Sequence, residues 1–455
     1  MVGRGPIYGF TRTQFIFPPI LSLKCAPNLP RVVEMDANKS LPRIIQLATI
    51  ISFSVAKIQE SLDNQGAPSP SFDEHAPPLP VDIDEAQNAV LDATTELHDL
   101  LTEPLNILHR SARSDKSACL QVIAHFDIAK LIPPGDRLSF AEIAKQTPLT
   151  EQMVGRIIRH AVTMRIFHEP EPGIVAHTKA SRMLANPDIR DWTRAGTEEL
   201  GPAGGKLADA LEKWPGSQEP NETGFSLANN TTGSIYDIIA KSPERAVRFA
   251  TAMKVMTSRP GFDLSYATDF YDWASLGQAQ VVDIGGAKGH FALALAKRYS
   301  DLRIIVQDMA KVVENADAES LGERVRFMSH DLFDPQTVCA DVFFFRWVFH
   351  NWPDQYCIRI LKAQVPALRY GARLIVQEAF MPETGTRAYW EEKDFRALDL
   401  EMAYTFNARE RTLADWKALF EEADPAFKLR NVIEPKGSAM SILEFVWEGA
   451  KEPVT

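Results

Sequence analysis

Short apolar runs of strand length alternate with longer amphipathic ones through the second half of the chain. Val281 and Val282 open a run that ends in Asp283, and glycines follow at 285, 286 and 289. Phe291, Leu293 and Leu295 then mark a helical segment, and Leu302 to Val306 form a second apolar run closing on Asp308. Two buried strands around one amphipathic helix make a βαβ unit. The alternation continues with strands at Val325 to Met328 and Asp341 to Trp347, a helix from Asp354 to Tyr370, and a strand from Arg373 to Val376. A capping-box pair, Thr412 and Asp415, starts a helix through Glu422, and strands Lys428 to Glu434 and Met440 to Trp447 end the pattern. The class is α/β, with an open, mostly parallel, Rossmann-like sheet closed by a hairpin.

The first half reads differently. From Leu41 to Leu62 the residues Ile44, Ile45, Leu47, Ile50, Ile51, Val55 and Ile58 recur at helical spacing, and Gln46, Thr49, Ser52 and Ser54 interrupt them. That is an amphipathic helix and not a membrane span. Five prolines between Ala67 and Pro80 then suggest an extended linker. Helical patterns follow at Ala86 to Leu101, Ser117 to Lys130, Ser139 to Lys145 and Thr150 to Met164, with Ser139 and Glu142 spaced as a capping box. Ile166 to His168 and Ile174 to His177 flank a Pro-Glu-Pro-Gly turn as a hairpin, so this region predicts a winged helix. Residues 186 to 275 read as helical, chiefly Phe225 to Ala240 and Pro243 to Thr257. The expected units are a tail or gene-model extension at 1–34, a helix and Pro-rich linker at 35–82, a mainly helical winged-helix domain at 83–190, and the α/β domain at 191–455.

Composition narrows the partners. With 455 residues, 45% of them hydrophobic, the chain can bury a large core. A formal net charge of −11 argues against nucleic acid, which rewards a basic face. The possible recognition helix, Glu151 to Ala161, mixes Glu151 with Arg156 and Arg159 and has no dense basic face. Phe15 to Leu23 is apolar but too short to span a membrane and is broken by Pro18 and Pro19. Cys25, Cys119, Cys339 and Cys357 show neither metal-ligand spacing nor a disulfide framework, so no metal site and a reducing, cytoplasmic setting are expected.

The glycine turn points to the chemistry. Nineteen residues separate Gly289 from Asp308, close to the spacing that puts a second-strand acid on ribose hydroxyls, so an adenosine-bearing cofactor is expected. Asp283 stands two residues before the first glycine, where it would repel a pyrophosphate and suit a cation. S-adenosyl-L-methionine (SAM) carries an ammonium, a sulfonium and no phosphate. Here the chain resembles the class I SAM-dependent methyltransferases, with Ala287 standing where many members have a third glycine. The segment FRWVFHNWPDQYC, ending at Cys357, and LDLEMAYTFNARERT, Leu398 to Thr412, resemble plant and fungal phenolic O-methyltransferases. The likeness runs from about Ile83 to the C-terminus.

That resemblance implies a fold, partners and a site. His350 matches the family's general base, and Glu378 and Glu410 match the two acids that hold it. Gly285, with Gly286 beside it, approaches the cofactor, Asp308 takes the ribose, Asp331 and Phe333 border the adenine, and Arg346 replaces a basic residue near the cofactor. Met402 matches a pocket position that sandwiches an aromatic ring, and Met253 is expected in the same pocket wall. The winged-helix domain implies a homodimer whose partner lines the pocket, with neither nucleic acid nor a membrane as partner. Lys288 and His290 are expected on the solvated side of the first helix. Since a phenol titrates near pH 10, a base near neutrality helps by about 10² to 10⁴-fold. The expected reaction is SAM-dependent methylation of a hydroxyl, a phenol by preference, on an aromatic polyketide or related secondary metabolite. The alternative is a SAM-binding pericyclase or dehydratase on the same fold.

Overall fold

The computed structural model describes residues 41–314 and 324–449. The expected tail at 1–34 lies outside the described residues. The amphipathic helix is α1, Arg43–Asn64, which buries Leu47 and Leu62 against α2, Asp84–Leu100. The proline-rich segment between them is not a free linker, because the Lys179 amide donates to the Phe72 carbonyl at 3.2 Å and Asp73 bridges Thr178.

The winged-helix region contains α3, Phe140–Gln146, and α4, Glu151–Thr163, with strands β1, Arg137–Ser139, β2, Phe167–Glu171, and β3, Ile174–His177. The hairpin gains a third strand, in the order β1-β3-β2, that the pattern did not mark, since three residues are too few for a period to show. Ser139 forms the expected capping box: its hydroxyl accepts from the Glu142 amide at 3.2 Å and its own amide donates to Glu142 at 2.8 Å. Ile128, Ile143, Val154, Ile158, Phe167 and Val175 fill the core of this unit.

The helix expected from Phe225 to Ala240 is two short ones, Gly224–Ala228 and Ile235–Ile239. Asn230 takes a left-handed φ of 49° between them, which an L-residue helix cannot continue through, and Ser234 restarts the chain with a capping box on Asp237. Next comes α5, Pro243–Thr257, whose Arg245 and buried Arg248 both grip the buried Glu199 of the preceding π-helical turn Ala195–Leu200.

The large sheet holds β4 (Gln280–Ile284), β5 (Arg303–Asp308), β6 (Val325–Ser329), β7 (Val342–Arg346), β8 (Arg373–Glu378), β9 (Phe427–Ile433) and β10 (Ser441–Trp447). Their order is β6-β5-β4-β7-β8-β10-β9. Adjacent strands from β6 through β8 pair in parallel, while β10 runs antiparallel to both β8 and β9. The strand order reverses between β4 and β7, where open α/β sheets bind ligands beyond their carboxyl ends. Helices α6 (His290–Arg298), α7 (Asp354–Gln364), α8 (Tyr389–Phe406) and α9 (Leu413–Ala423) complete the domain. Helix α7 stops at Gln364 rather than Tyr370, because Pro366 follows in a 3₁₀ turn and has no N–H to donate. The pattern missed α8, whose buried positions are only Glu392, Met402, Thr405 and Phe406. Its first amides have no local cap; Asp92 of α2 accepts from the Tyr389 and Trp390 amides at 2.9 Å each.

Both faces of the sheet are dry. Phe343 and Phe345 point into one core with Val282, Leu374, Trp416, Phe420 and Phe445, and Phe344 points into the other with Val281, Phe291 and Val306. Burial on both faces explains the unbroken run Val342 to Phe345, which lacks any polar alternation. Phe420 stacks on Phe445 with centroids 3.6 Å apart. Phe420→Ala is expected to destabilise the chain by about 3–5 kcal/mol through the cavity it leaves, read as a lower midpoint in denaturant unfolding.

Candidate active site

The carboxyl ends of five parallel strands bring polar side chains to one edge of the sheet. Asp283 lies next to the end of β4, Asp308 and Glu378 end β5 and β8, Asp331 follows β6, and His350 follows β7 in the 3₁₀ turn Phe349–Asn351. The sequence pattern anticipated this convergence, and the register of the parallel strands produces it.

His350 is buried, with its Nδ1 at 3.1 Å from Glu410 Oε1. Glu410 arrives on the loop after α8, where its amide donates to Asp399 at 2.9 Å. Glu378 was expected to hold the imidazole as well, but its bonds go to the backbone. Its Oε1 accepts from the amides of Val348 at 2.8 Å and Phe349 at 2.9 Å, so it holds the turn and reaches His350 only through its charge. Burial works against a charge on His350, yet the Glu410 hydrogen bond and the charges of Glu378 and Glu410 outweigh it and raise its pKa. Burial pushes the Glu378 carboxyl up, the neighbouring Glu410 charge adds to that, and His350 pulls it back.

Sequence reasoning missed Arg411, which is 1% exposed. Its guanidinium donates to the carbonyls of Phe349 at 3.1 Å and Trp352 at 2.9 Å and pairs with Asp354 at 2.7 Å. The carbonyl ends of the histidine turn are therefore satisfied from one buried cation. Nothing in an Arg that follows a Glu signals such a role, because it depends on where the loop after α8 runs beside the chain just past β8, at the bridge between Phe380 and Arg411. Glu401 of α8 was missed too; burial raises its carboxyl pKa and the nearby His350 lowers it.

At the glycine turn the backbone is tightly confined. A Cβ on Gly286 would stand 2.5 Å from Asp283 Oδ2 and 2.7 Å from Val306, and one on Gly289 would stand 2.7 Å from the Phe327 ring. Gly285 has φ +70°, and Ala287 takes φ +49° without being glycine while donating its amide to Asp308 Oδ2 at 2.9 Å. Asp308 also accepts from the Met309 amide at 2.7 Å. Asp283 is buried, and its Oδ2 has no hydrogen-bond partner. Burial raises its pKa to about 7, with Arg346 drawing it down and Asp308 adding to the rise. Arg346 itself donates to Gln377 at 2.9 Å and to the Phe262 carbonyl at 2.5 Å, and burial lowers its pKa to about 10. Asp331 accepts the Phe333 amide at 3.0 Å, and the Phe333 ring meets Trp352 edge-on at 4.8 Å. Lys288 and His290 are exposed, as expected. Met402 is buried beside Phe225, Ile235 and Phe406. Met253 lies on a different element, α5, and is 39% exposed.

A nucleoside bearing a positive charge fits these residues: a buried carboxylate oxygen without a partner, and a glycine turn with no room for side chains, both at the switch point of the sheet. Comparison with known proteins agrees. Residues 206–425 match the O-methyltransferase domain family and residues 111–187 the O-methyltransferase dimerisation domain family. The chain is 41% identical over 419 residues to O-methyltransferase PaMT of Phomopsis amygdali, covering 90% of this chain and 98% of that one. It is 35% identical over 422 residues to chlorophenol O-methyltransferase of Trichoderma longibrachiatum, covering 89% and 90%. Among solved structures, LepI in complex with SAM aligns with a TM-score of 0.68 at 22% identity, over 88% of this chain and 99% of that one. A pericyclic reaction enzyme aligns with the same score and identity over 89% and 100%. Matches of this extent place the chain in the O-methyltransferase family, as a SAM-dependent O-methyltransferase with that family's dimerisation domain.

Proposed function

We propose that this enzyme methylates a phenolic hydroxyl of an aromatic polyketide or related secondary metabolite, with His350 as general base. The buried contact between His350 Nδ1 and Glu410 is the observation that carries the reading, because it fixes the ring and leaves Nε2 as the one nitrogen available to a substrate. When bound, the cofactor supplies a methyl group already activated by its sulfonium. Nε2 would take the proton from the acceptor hydroxyl, so that the oxygen could accept the methyl group that bound SAM would supply, with S-adenosylhomocysteine as the leaving group. Glu410 stabilises the imidazolium so formed, and Glu378 keeps the turn from shifting under it. On the cofactor side, Asp308 takes the ribose, Asp331 and Phe333 border the adenine, Gly285 and Gly286 allow close backbone approach, and Asp283 faces the positive end, with Arg346 moderating its charge. Met402 and Met253 serve as pocket walls, and the dimerisation domain pairs two copies. The relative that acts on a chlorophenol supports a phenolic acceptor. The pericyclic reaction enzyme shares the fold alone.

Purified enzyme given methyl-labelled SAM and a panel of phenolic polyketides should release S-adenosylhomocysteine and place the label on the acceptor. Consumption or isomerisation of the acceptor with SAM intact would overturn methyl transfer in favour of a pericyclase or dehydratase. His350→Ala should lose about 10² to 10⁴-fold in turnover while S-adenosylhomocysteine binding by calorimetry stays as in the wild type.

The pH profile tests the Glu410 contact. A base with a raised pKa is protonated at low pH, so turnover should climb with pH through a limb above the ordinary histidine value. Glu410→Gln removes influences that raise that pKa, so its limb should move to lower pH; an unmoved limb would dissociate Glu410 from the base.

Asp283 yields a separate outcome. With its pKa raised to about 7, the carboxyl is largely neutral in acid and ionised above neutrality. A cationic ligand favours the ionised form, so SAM affinity should rise with pH through that range and binding should release protons. Calorimetry in buffers of different ionisation enthalpy measures the release, and Asp283→Asn should abolish it.

A further inference from the structure

A row of aromatic rings crosses the edge of the sheet from the β6 side to helix α8. Phe333 meets Trp352 edge-on at 4.8 Å, Trp352 lies nearly parallel to Tyr236 at 6.1 Å, and Tyr236 leans on Phe406 at 5.8 Å. Phe333, Trp352 and Phe406 come from the α/β domain proper. Tyr236 comes from upstream, on the short helix Ile235–Ile239, where the Ser234–Asp237 capping box fixes the first turn and the buried Ile235 anchors it among Phe225, Met402 and Phe406. No motif in the sequence marked this tyrosine.

Its environment is unusual for a surface tyrosine. The residue is 42% exposed, and among the described residues none hydrogen-bonds its hydroxyl. Loss of hydration raises its pKa and the charge of nearby Asp308 adds to the rise, so it stays a proton donor. A hydroxyl that no protein group engages is available to donate to a ligand. The neighbouring anion, Asp308, has both oxygens engaged by the amides of Ala287 and Met309 and retains lone pairs for further donors.

We propose that Tyr236 is a cofactor-binding residue: its hydroxyl donates to a ribose hydroxyl oxygen of SAM, and its ring extends the aromatic row over the nucleoside. The inference rests on the assignment of Asp308 to the ribose, and it is independent of which acceptor is methylated. Tyr236 would then link the upstream helices to the cofactor, since the segment that carries it packs on α5 and on the α8 cluster around Phe406.

The test is calorimetric binding of S-adenosylhomocysteine and of its analogue lacking both ribose hydroxyls, to wild type and Tyr236→Phe. Loss of one neutral hydrogen bond predicts a Kd for S-adenosylhomocysteine raised roughly three- to tenfold in Tyr236→Phe, with the Kd for the analogue changed less than twofold. The readout is the ratio of the two affinities within one protein, so a partial loss of folded protein cancels. An unchanged Kd for S-adenosylhomocysteine, or equal losses for both ligands, overturns the proposal. Asp308→Asn serves as the companion: if it fails to narrow the difference between the two ligands, the ribose assignment has failed rather than the tyrosine.

Discussion

The turn between Trp347 and Trp352 is irregular backbone inside a protein, and it persists because charged side chains satisfy its polar groups. Glu378 accepts its amides from below, and Arg411 donates to its carbonyls from the side. Hydrogen bonds to charged groups are worth about 1.5–3 kcal/mol each, and leaving any of these buried groups unpaired would cost at least as much. Trp347 is held at a left-handed φ of 55°, which a bulky residue adopts only where its surroundings impose it, and its ring stands 4.9 Å from that of His350. The position of His350 thus follows from an acid at the end of β8 and an arginine after α8, and neither of them is close to it in sequence.

Depth and partners together set the direction in which each group around that turn shifts. Asp283 and Asp354 both lose hydration. Asp283 has no hydrogen-bond partner for Oδ2 and rises to about 7, whereas Arg409 and Arg411 overcome burial at Asp354 and hold its carboxyl below the usual range. His350 rises despite burial because two carboxylates face it. The edge of the sheet therefore carries an unmatched acid at Asp283 and a histidine compensated by carboxylates at His350. That division suits a cationic donor at one end and a proton to be removed at the other.

The upstream helices are coupled to this chemistry through specific contacts. Asp92 of α2 caps α8, the helix that carries Met402, and Asn88 meets Glu391 and Trp390 beside it. Glu199 joins the π-helical turn to Arg245 and Arg248 of α5, and Tyr236 reaches the aromatic row from the same stretch. The catalytic sheet supplies the edge, and the upstream chain supplies much of what stands over it.

The sequence alone determined the βαβ unit, the strand ends that bear Asp283, Asp308, Asp331, His350 and Glu378, and the capping boxes at Ser139 and Thr412. Each of these is a local matter: a period of two or 3.6, a glycine turn, or a hydroxyl three residues from an acid. Helix α8 escaped notice because its cap comes from Asp92, nearly 300 residues away in sequence. The break at Asn230 was equally hidden, since asparagine tolerates both helical and left-handed backbone. Only the tertiary structure decided that Glu410 bonds the imidazole while Glu378 bonds the backbone, that Arg411 is buried beneath the turn, and that Tyr236 packs between Trp352 and Phe406. Those facts are distances between segments brought together by the packing of the sheet, and residue type and spacing along the chain do not encode them.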